Sequence, residues 1–341
     1  MRSNAKVSSI SFDLLNSSQK KQAKQLHHLL AEIQLPELEN DCHLSEFPLK
    51  VPKHFAKQIQ LKNPTDPLLR QILPVNQELE TNEHYKKDPV GDLDKNPLPS
   101  LIHKYYGRVL LIASPKCDIH CRYCFRRHFP YENQSNNRAW HQAIDYIQAD
   151  DSIHEVILSG GDPMSLSENV LLKLSQKIES IQHVKTLRIH SRTPVVSPTD
   201  AAQKEWLEWA KTTSLNIVLV VHCNHPNELS TQTHELFKRY QQAGLHLLNQ
   251  TVLLRSINDS VDVLEKLSHA LFAQSVMPYY LHQLDKVQGA THFQVADQDA
   301  LILHQALRER LPGYLVPKLV QEVAGEPFKT PLYELADENG I

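Results

Sequence analysis

The chain has 341 residues, 36 of them basic and 39 acidic, for a formal net charge of -3, and 41% of its residues are hydrophobic. This length and apolar fraction support a large folded core. The near balance of charge argues against a general nucleic-acid-binding footprint, which needs a strong basic excess. The apolar runs are short, as at Ile217 to Val221, far below the roughly 20 residues of a membrane span. Met1 to Lys20 is polar and lacks the hydrophobic core of a secretion signal. The expectation is a cytoplasmic protein with no membrane and no nucleic-acid partner.

The first hundred residues read as helical or irregular. Leu26, Leu29, Leu30 and Ile33 fall at helical spacing, so the pattern predicts an amphipathic helix over Gln19 to Ile33. Asn63 to Leu101 repeats Pro and Asp with few apolar pairs and reads as a wrapping arm.

From 102 to 312 the pattern alternates. Short β-branched or Leu-rich runs begin near Val109, Val156, Leu187, Ile217, Leu247 and Met277. After the first interval they lie about 30 residues apart, the length of one βα unit. Helical stretches separate them near Ala139–Ala149, Glu168–Ile181, Asp200–Thr212, Asn227–Ala243, Val261–Gln274 and Asp297–Arg310. Apolar strands alternating with helices predict a parallel sheet covered by helices. Six units predict a partial (β/α)6 barrel over 101–312, with a helical arm over 1–100 and a tail over 313–341.

In such barrels the chemistry sits on the loops that follow the strands. Polar groups stand in all six of those loops. In order they are Cys117-Asp-Ile-His-Cys121-Arg-Tyr-Cys124, Ser159-Gly160-Gly161-Asp162-Pro163, and His190-Ser191-Arg192-Thr193-Pro194. Then come His222-Cys223-Asn224-His225-Pro226, Asn249-Gln250-Thr251, and His282-Gln283-Leu284-Asp285-Lys286. One shared mouth follows from the architecture.

Three of the five cysteines fall within eight residues. In a large cytosolic chain such a cluster points to metal rather than to disulfides. Three thiolates can hold three corners of a 4Fe–4S cluster and leave one iron open. The residues alone also allow a structural zinc site, with His120 or His128 as fourth ligand. Cys42 and Cys223 stand apart and read as buried thiols.

The spacing C-x3-C-x-aromatic-C, with Tyr123 before Cys124, resembles the radical S-adenosylmethionine (SAM) signature. That resemblance implies a 4Fe–4S cluster on Cys117, Cys121 and Cys124, with SAM chelating the open iron and Tyr123 among the cofactor contacts. Gly160-Gly161-Asp162 resembles the family's GGE element, which contacts the SAM amino group. Glycines let backbone approach a ligand, and an acid accepts from an ammonium. Asp in place of the usual Glu shortens the reach. Gln250 is counted with the cofactor contacts.

The resemblance narrows further. CDIHCRYCFRRHFPY from Cys117, RIHSRTPVV from Arg188, HPNEL from His225, PYYLHQLDKVQGATHF from Pro278 and GEPFKTP from Gly325 are similar to the lysine 2,3-aminomutase family. It covers about residues 60–335. Within that family the chain is similar to the short members that make (R)-β-lysine for elongation factor P. The Gly-Glu-Pro-Phe-Lys tail and the lack of C-terminal zinc-binding cysteines carry that comparison. The resemblance implies an isomerase acting on L-lysine, with a functional link to elongation factor P and its lysine ligase. The oligomeric arrangement, homo-oligomer or not, stays open.

Such an enzyme needs pyridoxal phosphate (PLP), and PLP needs a lysine. On the residues alone two fit, Lys286 in the sixth loop and Lys329 in the tail; the resemblance points to Lys329. It also implies a phosphate clamp at Lys104, Tyr105 and Arg108, where Lys104 replaces an Arg of the free-lysine enzymes. Arg126 is implied at the substrate α-carboxylate, and Asp285 and Glu322 at the distal ammonium. A basic run of Arg122, Arg126, Arg127 and His128 could also be an RNA patch. Two other readings stay open. One is a free-lysine or glutamate aminomutase; the other is a zinc-stabilised RNA-binding or scaffold protein.

Overall fold

A computed structural model describes residues 5–6, 15–134 and 137–339. Strands β1 (Ala5–Lys6) and β2 (His43–Leu44) form a small antiparallel pair. Helix α1 (Ser17–Glu32) covers the N-terminal helix expected from the pattern. It starts two residues earlier because Asn16 and Gln19 close a capping box. The Asn16 side chain accepts from the Gln19 amide at 2.9 Å, and the Gln19 side chain accepts from the Asn16 amide at 3.1 Å. Leu26, Leu29 and Leu30 on its inner face are buried. Leu30 has no exposed surface; burying such a side chain contributes about 2–3 kcal/mol.

Short helices α2 (Lys53–Ala56) and α3 (Pro67–Arg70) follow in the arm. Then comes the sheet: β3 (Leu101–Tyr105), β4 (Arg108–Ser114), β5 (Glu155–Gly160), β6 (Thr186–Ser191), β7 (Asn216–His222), β8 (His246–Val252), β9 (Met277–His282), β10 (Lys318–Gln321) and β11 (Thr330–Pro331). Their spatial order is the sequence order, from β3 at one edge to β11 at the other. The pairs from β4 through β10 are parallel, while β3/β4 and β10/β11 are antiparallel.

Six of the seven parallel strands are those expected from the apolar runs. The seventh, β10, and the edge strands β3 and β11 were not anticipated. Lys-Leu-Val-Gln offers only two apolar residues and β11 only two residues in all, too short a pattern to register. Segment 313–341 therefore gives the sheet two of its strands.

Helices α4 (Asn137–Ala149), α5 (Glu168–Glu179), α6 (Thr193–Val196), α7 (Lys204–Ala210), α8 (Thr231–Gln242), α9 (Val261–Phe272) and α10 (Asp297–Arg310) connect the strands, and α11 (Leu332–Asn339) follows β11. Val156, Leu158, Leu187, Ile189, Ile217, Leu219 and Leu247 belong to the main core cluster, together with Leu171 and Leu174 of α5 and Phe237 of α8. The same cluster takes in Leu26 and Leu30 of α1 and Leu68 and Leu69 of α3, so the arm packs into the barrel's own core. Because side chains alternate across a strand, the partners of these residues face the other, concave side. That side carries Arg188, His190, His222, Gln250 and Tyr280. Among the described residues no helix is long and apolar enough to cross a membrane.

Candidate active site at the mouth of the partial barrel

The three cysteines follow β4. The loop that carries them is held from outside by the arm. The His120 amide donates to the Lys50 carbonyl and the Arg122 amide to the Gln71 carbonyl. The Arg122 guanidinium is fully buried and grips both oxygens of Glu78, at 2.7 and 2.5 Å, and Arg127 shares Glu78 at 2.6 Å. Arg127 and His128 donate to the carbonyls of Gly289 and Gln288 in the loop after β9. The basic run is thus consumed by internal pairs, which is the opposite of an RNA-binding face.

Burial pushes the Cys124 thiol up to about 11 and the Cys117 thiol well above its ordinary range, and the neighbouring sulfurs add to both shifts. Among the described residues no group of three His, Cys, Asp or Glu is arranged to hold a single metal ion. His128 spends its Nε2 on Gln288, and His120 stacks on Phe47 with its Nδ1 on the Pro48 carbonyl. The donor set is three thiols with no fourth side chain closing on them. It fits a multi-iron group with one open corner.

The glycine turn after β5 touches this loop. Gly160 has φ +118°, and its carbonyl accepts from the Tyr131 hydroxyl at 2.6 Å. A Cβ on Gly161 would lie 2.3 Å from the Lys116 carbonyl oxygen, so no other residue fits there. Asp162 departs from expectation. Its Oδ1 accepts from the Met164 amide and the Ser191 hydroxyl; its Oδ2 accepts from the Arg192 and Thr193 amides. All four acceptor positions of the carboxylate are filled by protein. In place of a contact to a ligand ammonium, Asp162 ties the β5 loop to the β6 loop. What the turn presents outward is backbone.

Tyr123 is likewise buried rather than presented to a cofactor. Its hydroxyl meets Asn224 at 2.6 Å, His222 at 3.0 Å and Arg192 at 2.5 Å. Arg192 also reaches Cys121 Sγ, Gln71 and Glu228. Gln250 pairs in the ladder with His222 on one side and Tyr280 on the other, which places it in the lumen next to that group.

A second buried network lies across the mouth. Glu322, just past β10, pairs with Lys329, accepts from the Tyr105 hydroxyl at 2.7 Å and meets Lys104 Nζ at 3.4 Å. Against the upward push of burial, Lys329 and Lys104 pull Glu322 down to about 2. Lys104 is paired with Asp92 Oδ1 at 2.6 Å and donates to the Val90 carbonyl. Asp92 Oδ2 holds Arg126 Nε at 2.8 Å, and Arg126 donates through a terminal nitrogen to Ser159 Oγ at 3.0 Å. Arg108 lies over the Tyr105 ring, 4.6 Å from its centroid, with no other partner among the described residues.

Asp285 completes the set. Burial raises its carboxyl to about 7; Lys329 pulls it down and Glu322 pushes it up. Lys329 also depresses His282, which burial and that charge bring to about 3. Lys286 contributes to none of these shifts; its backbone carbonyl takes the Lys86 amide of the arm at 2.9 Å. Of the two lysines, Lys329 is the one paired with Glu322, and its charge reaches Asp285 and His282.

The pattern missed Asp92, Glu78, Gln71 and Glu228. The first three sit in the Pro- and Asp-rich arm, where acids look like ordinary solvated loop residues. Only their arrangement around Arg122, Arg126 and Arg192 reveals them.

The Radical SAM superfamily matches residues 111–267. The L-lysine 2,3-aminomutase of Escherichia coli (strain K12) is 46% identical over 287 residues, which cover 84% of this chain and 83% of that protein. The L-lysine 2,3-aminomutase of Haemophilus influenzae is 42% identical over 306 residues, 89% of this chain and 90% of that protein. Among solved structures, a radical SAM methyltransferase from Sphaerobacter thermophilus aligns with a TM-score of 0.46 and 15% identity, covering 65% of this chain and 68% of that one. On the relatives' identity and coverage, the chain belongs to the L-lysine 2,3-aminomutase family of radical SAM enzymes.

Proposed function

We propose that the chain is an L-lysine 2,3-aminomutase that moves the amino group of (S)-α-lysine from C2 to C3, giving (R)-β-lysine for modification of elongation factor P. A 4Fe–4S cluster sits on Cys117, Cys121 and Cys124, with SAM against the Gly160–Gly161 backbone and Gln250. PLP is carried by Lys329, its phosphate taken by Arg108, Tyr105 and Lys104. The observation that carries this reading is one mouth shared by two sets of residues: the three-thiol loop, and the Lys329–Glu322 pair beside Asp285. When bound, the cluster and SAM supply one-electron hydrogen abstraction, and PLP supplies a π-system that carries nitrogen between adjacent carbons.

The chain's own residues do the positioning, which is where such a reaction gains much of its rate. Arg126, fixed on Asp92 and Ser159, takes the substrate α-carboxylate in a charge-assisted contact. Asp285 and Glu322 take the distal ammonium, which would cost several kcal/mol if left unpaired out of water. Arg108 is free of ion pairs among the described residues and is the open cation for a phosphate, whereas Lys104 is already shared between Asp92 and Glu322. The described part of the arm braces the mouth through Glu78 on Arg122 and Asp92 on Arg126. The 313–341 segment brings Glu322 and Lys329.

The deciding experiment is anaerobic reconstitution with iron, sulfide, SAM, PLP and L-lysine, followed by chiral product analysis. (R)-β-Lysine is the expected product. Conversion of glutamate in preference to lysine, or no β-amino acid at full cofactor loading, would overturn the assignment.

A further inference from the structure

His190 faces the lumen and belongs to none of the networks described above. Ladder pairing sets Leu158 opposite Ile189, and both point into the core under the helices. Their successors, Ser159 and His190, are therefore neighbours on the concave side. Ser159 is the residue that holds a terminal nitrogen of Arg126. The Nε2 of His190 is shut off from solvent and has no hydrogen-bond partner among the described residues. A buried ring nitrogen left without a partner costs free energy unless a ligand supplies one.

Charge indicates which ligand chemistry suits it. Arg188, Lys329 and Arg126 are the cations His190 feels, and with burial they hold its imidazole well below the ordinary histidine range. Arg188 is neutralised two-pronged by Glu155. Around the mouth, Lys104, Arg126 and Lys329 then share two carboxylates, Asp92 and Glu322. Arg108 has no carboxylate partner among the described residues, and Asp285 is held towards its neutral form by burial. With Arg108 and Asp285 counted, four cations face three carboxyls, which leaves room for one more negative group. A neutral imidazole N–H beside Arg126 is a donor to it that adds no further charge.

We propose that His190 is a specificity-determining contact to the α-carboxylate of the bound amino acid, sharing that group with Arg126. The inference rests on the aminomutase reading above and extends it to a residue that reading does not use.

The test is equilibrium binding, by calorimetry, of two ligands to protein loaded with cluster and PLP but without SAM. One ligand is L-lysine; the other is cadaverine, which is lysine without the α-carboxylate. His190→Leu weakens L-lysine about tenfold, the worth of one hydrogen bond to a charged group, and leaves cadaverine unchanged. His190→Gln, which keeps a donor, retains most of the affinity. Equal loss for both ligands, or no loss for lysine, overturns the proposal. Should His190→Leu fail to fold, His190→Ala carries the same two-ligand comparison. Arg126→Gln separates the two levels. If it too leaves lysine binding intact, the carboxylate site itself is misassigned. If it loses lysine selectively while the His190 variants do not, only the role of His190 falls.

Discussion

Asp92 and Arg126 are joined through Oδ2 and Nε at 2.8 Å, and the other oxygen of Asp92 holds Lys104 at 2.6 Å. One arm carboxylate thus aims two cations, which the proposed function assigns to different ligand groups. Burial alone would raise this carboxyl, but Arg126 and Lys104 hold it below the ordinary range. Asp92→Asn keeps the shape, leaves Arg126 without its charge partner and leaves Lys104 with Glu322 alone. The expected loss is about 3 kcal/mol, the size seen when one partner of a buried pair is removed. Urea denaturation reads it directly, and an unchanged midpoint would mean that the pair is not compensating charge in solution.

Removing any one of Cys117, Cys121 or Cys124 should abolish cluster assembly, because three thiolates leave no spare ligand. Cys42 and Cys223 are fully buried but outside the loop that carries the other three cysteines. Their alanine variants should keep the cluster and lose about 1 kcal/mol of stability from the small cavity. Iron and acid-labile sulfide, counted per chain after reconstitution, decide the matter. A triple Cys117/Cys121/Cys124 variant that still holds four irons would remove the assignment.

Lys329 should carry the pyridoxyl group. Loading with PLP, borohydride reduction and peptide mapping should place the label on the peptide containing Lys329. Label on Lys286 would favour the reading that position in the sixth loop alone suggests. The structure separates the two lysines, since Asp285, Glu322 and His282 all sense the charge of Lys329.

How much of this was legible beforehand depended on where the information resides. The six central strands were, because each carries apolar residues on the face under the helices and recurs with a helical stretch after it. β10 and β11 were not, since two apolar residues make no period. The cysteine loop was legible from spacing. The roles of Asp162 and Tyr123 could not be read that way, because a motif names a residue type and not where its lone pairs go. Asp162 spends four of them on Met164, Ser191, Arg192 and Thr193. Asp92 and Glu78 are far from their partners in sequence, and only folding brings them to Arg126 and Arg122.

Asp285 gives a signed pH dependence. Its ordinary value is 3.8 and its folded value is about 7, so the folded chain keeps a proton that the unfolded chain releases between those limits. Stability is therefore unaffected below about pH 4, falls as pH rises towards 7, and is lowest above it. Asp285→Asn removes this slope, so the variant should gain on the parent in thermal unfolding between pH 5 and pH 8. Ligand binding should show the converse. An ammonium beside Asp285 favours the ionised carboxylate, so lysine binding below pH 7 must expel its proton. L-Norleucine lacks the ammonium but shares every other titration, which makes the lysine-to-norleucine affinity ratio the quantity to follow. That ratio should rise by up to about tenfold per pH unit from pH 5 to pH 7, the limit for one linked proton, and then level. In Asp285→Asn it should be flat and low at every pH. A ratio that climbs equally in the variant would place the titrating group elsewhere, with Glu322 excluded because Lys329 and Lys104 hold it at about 2.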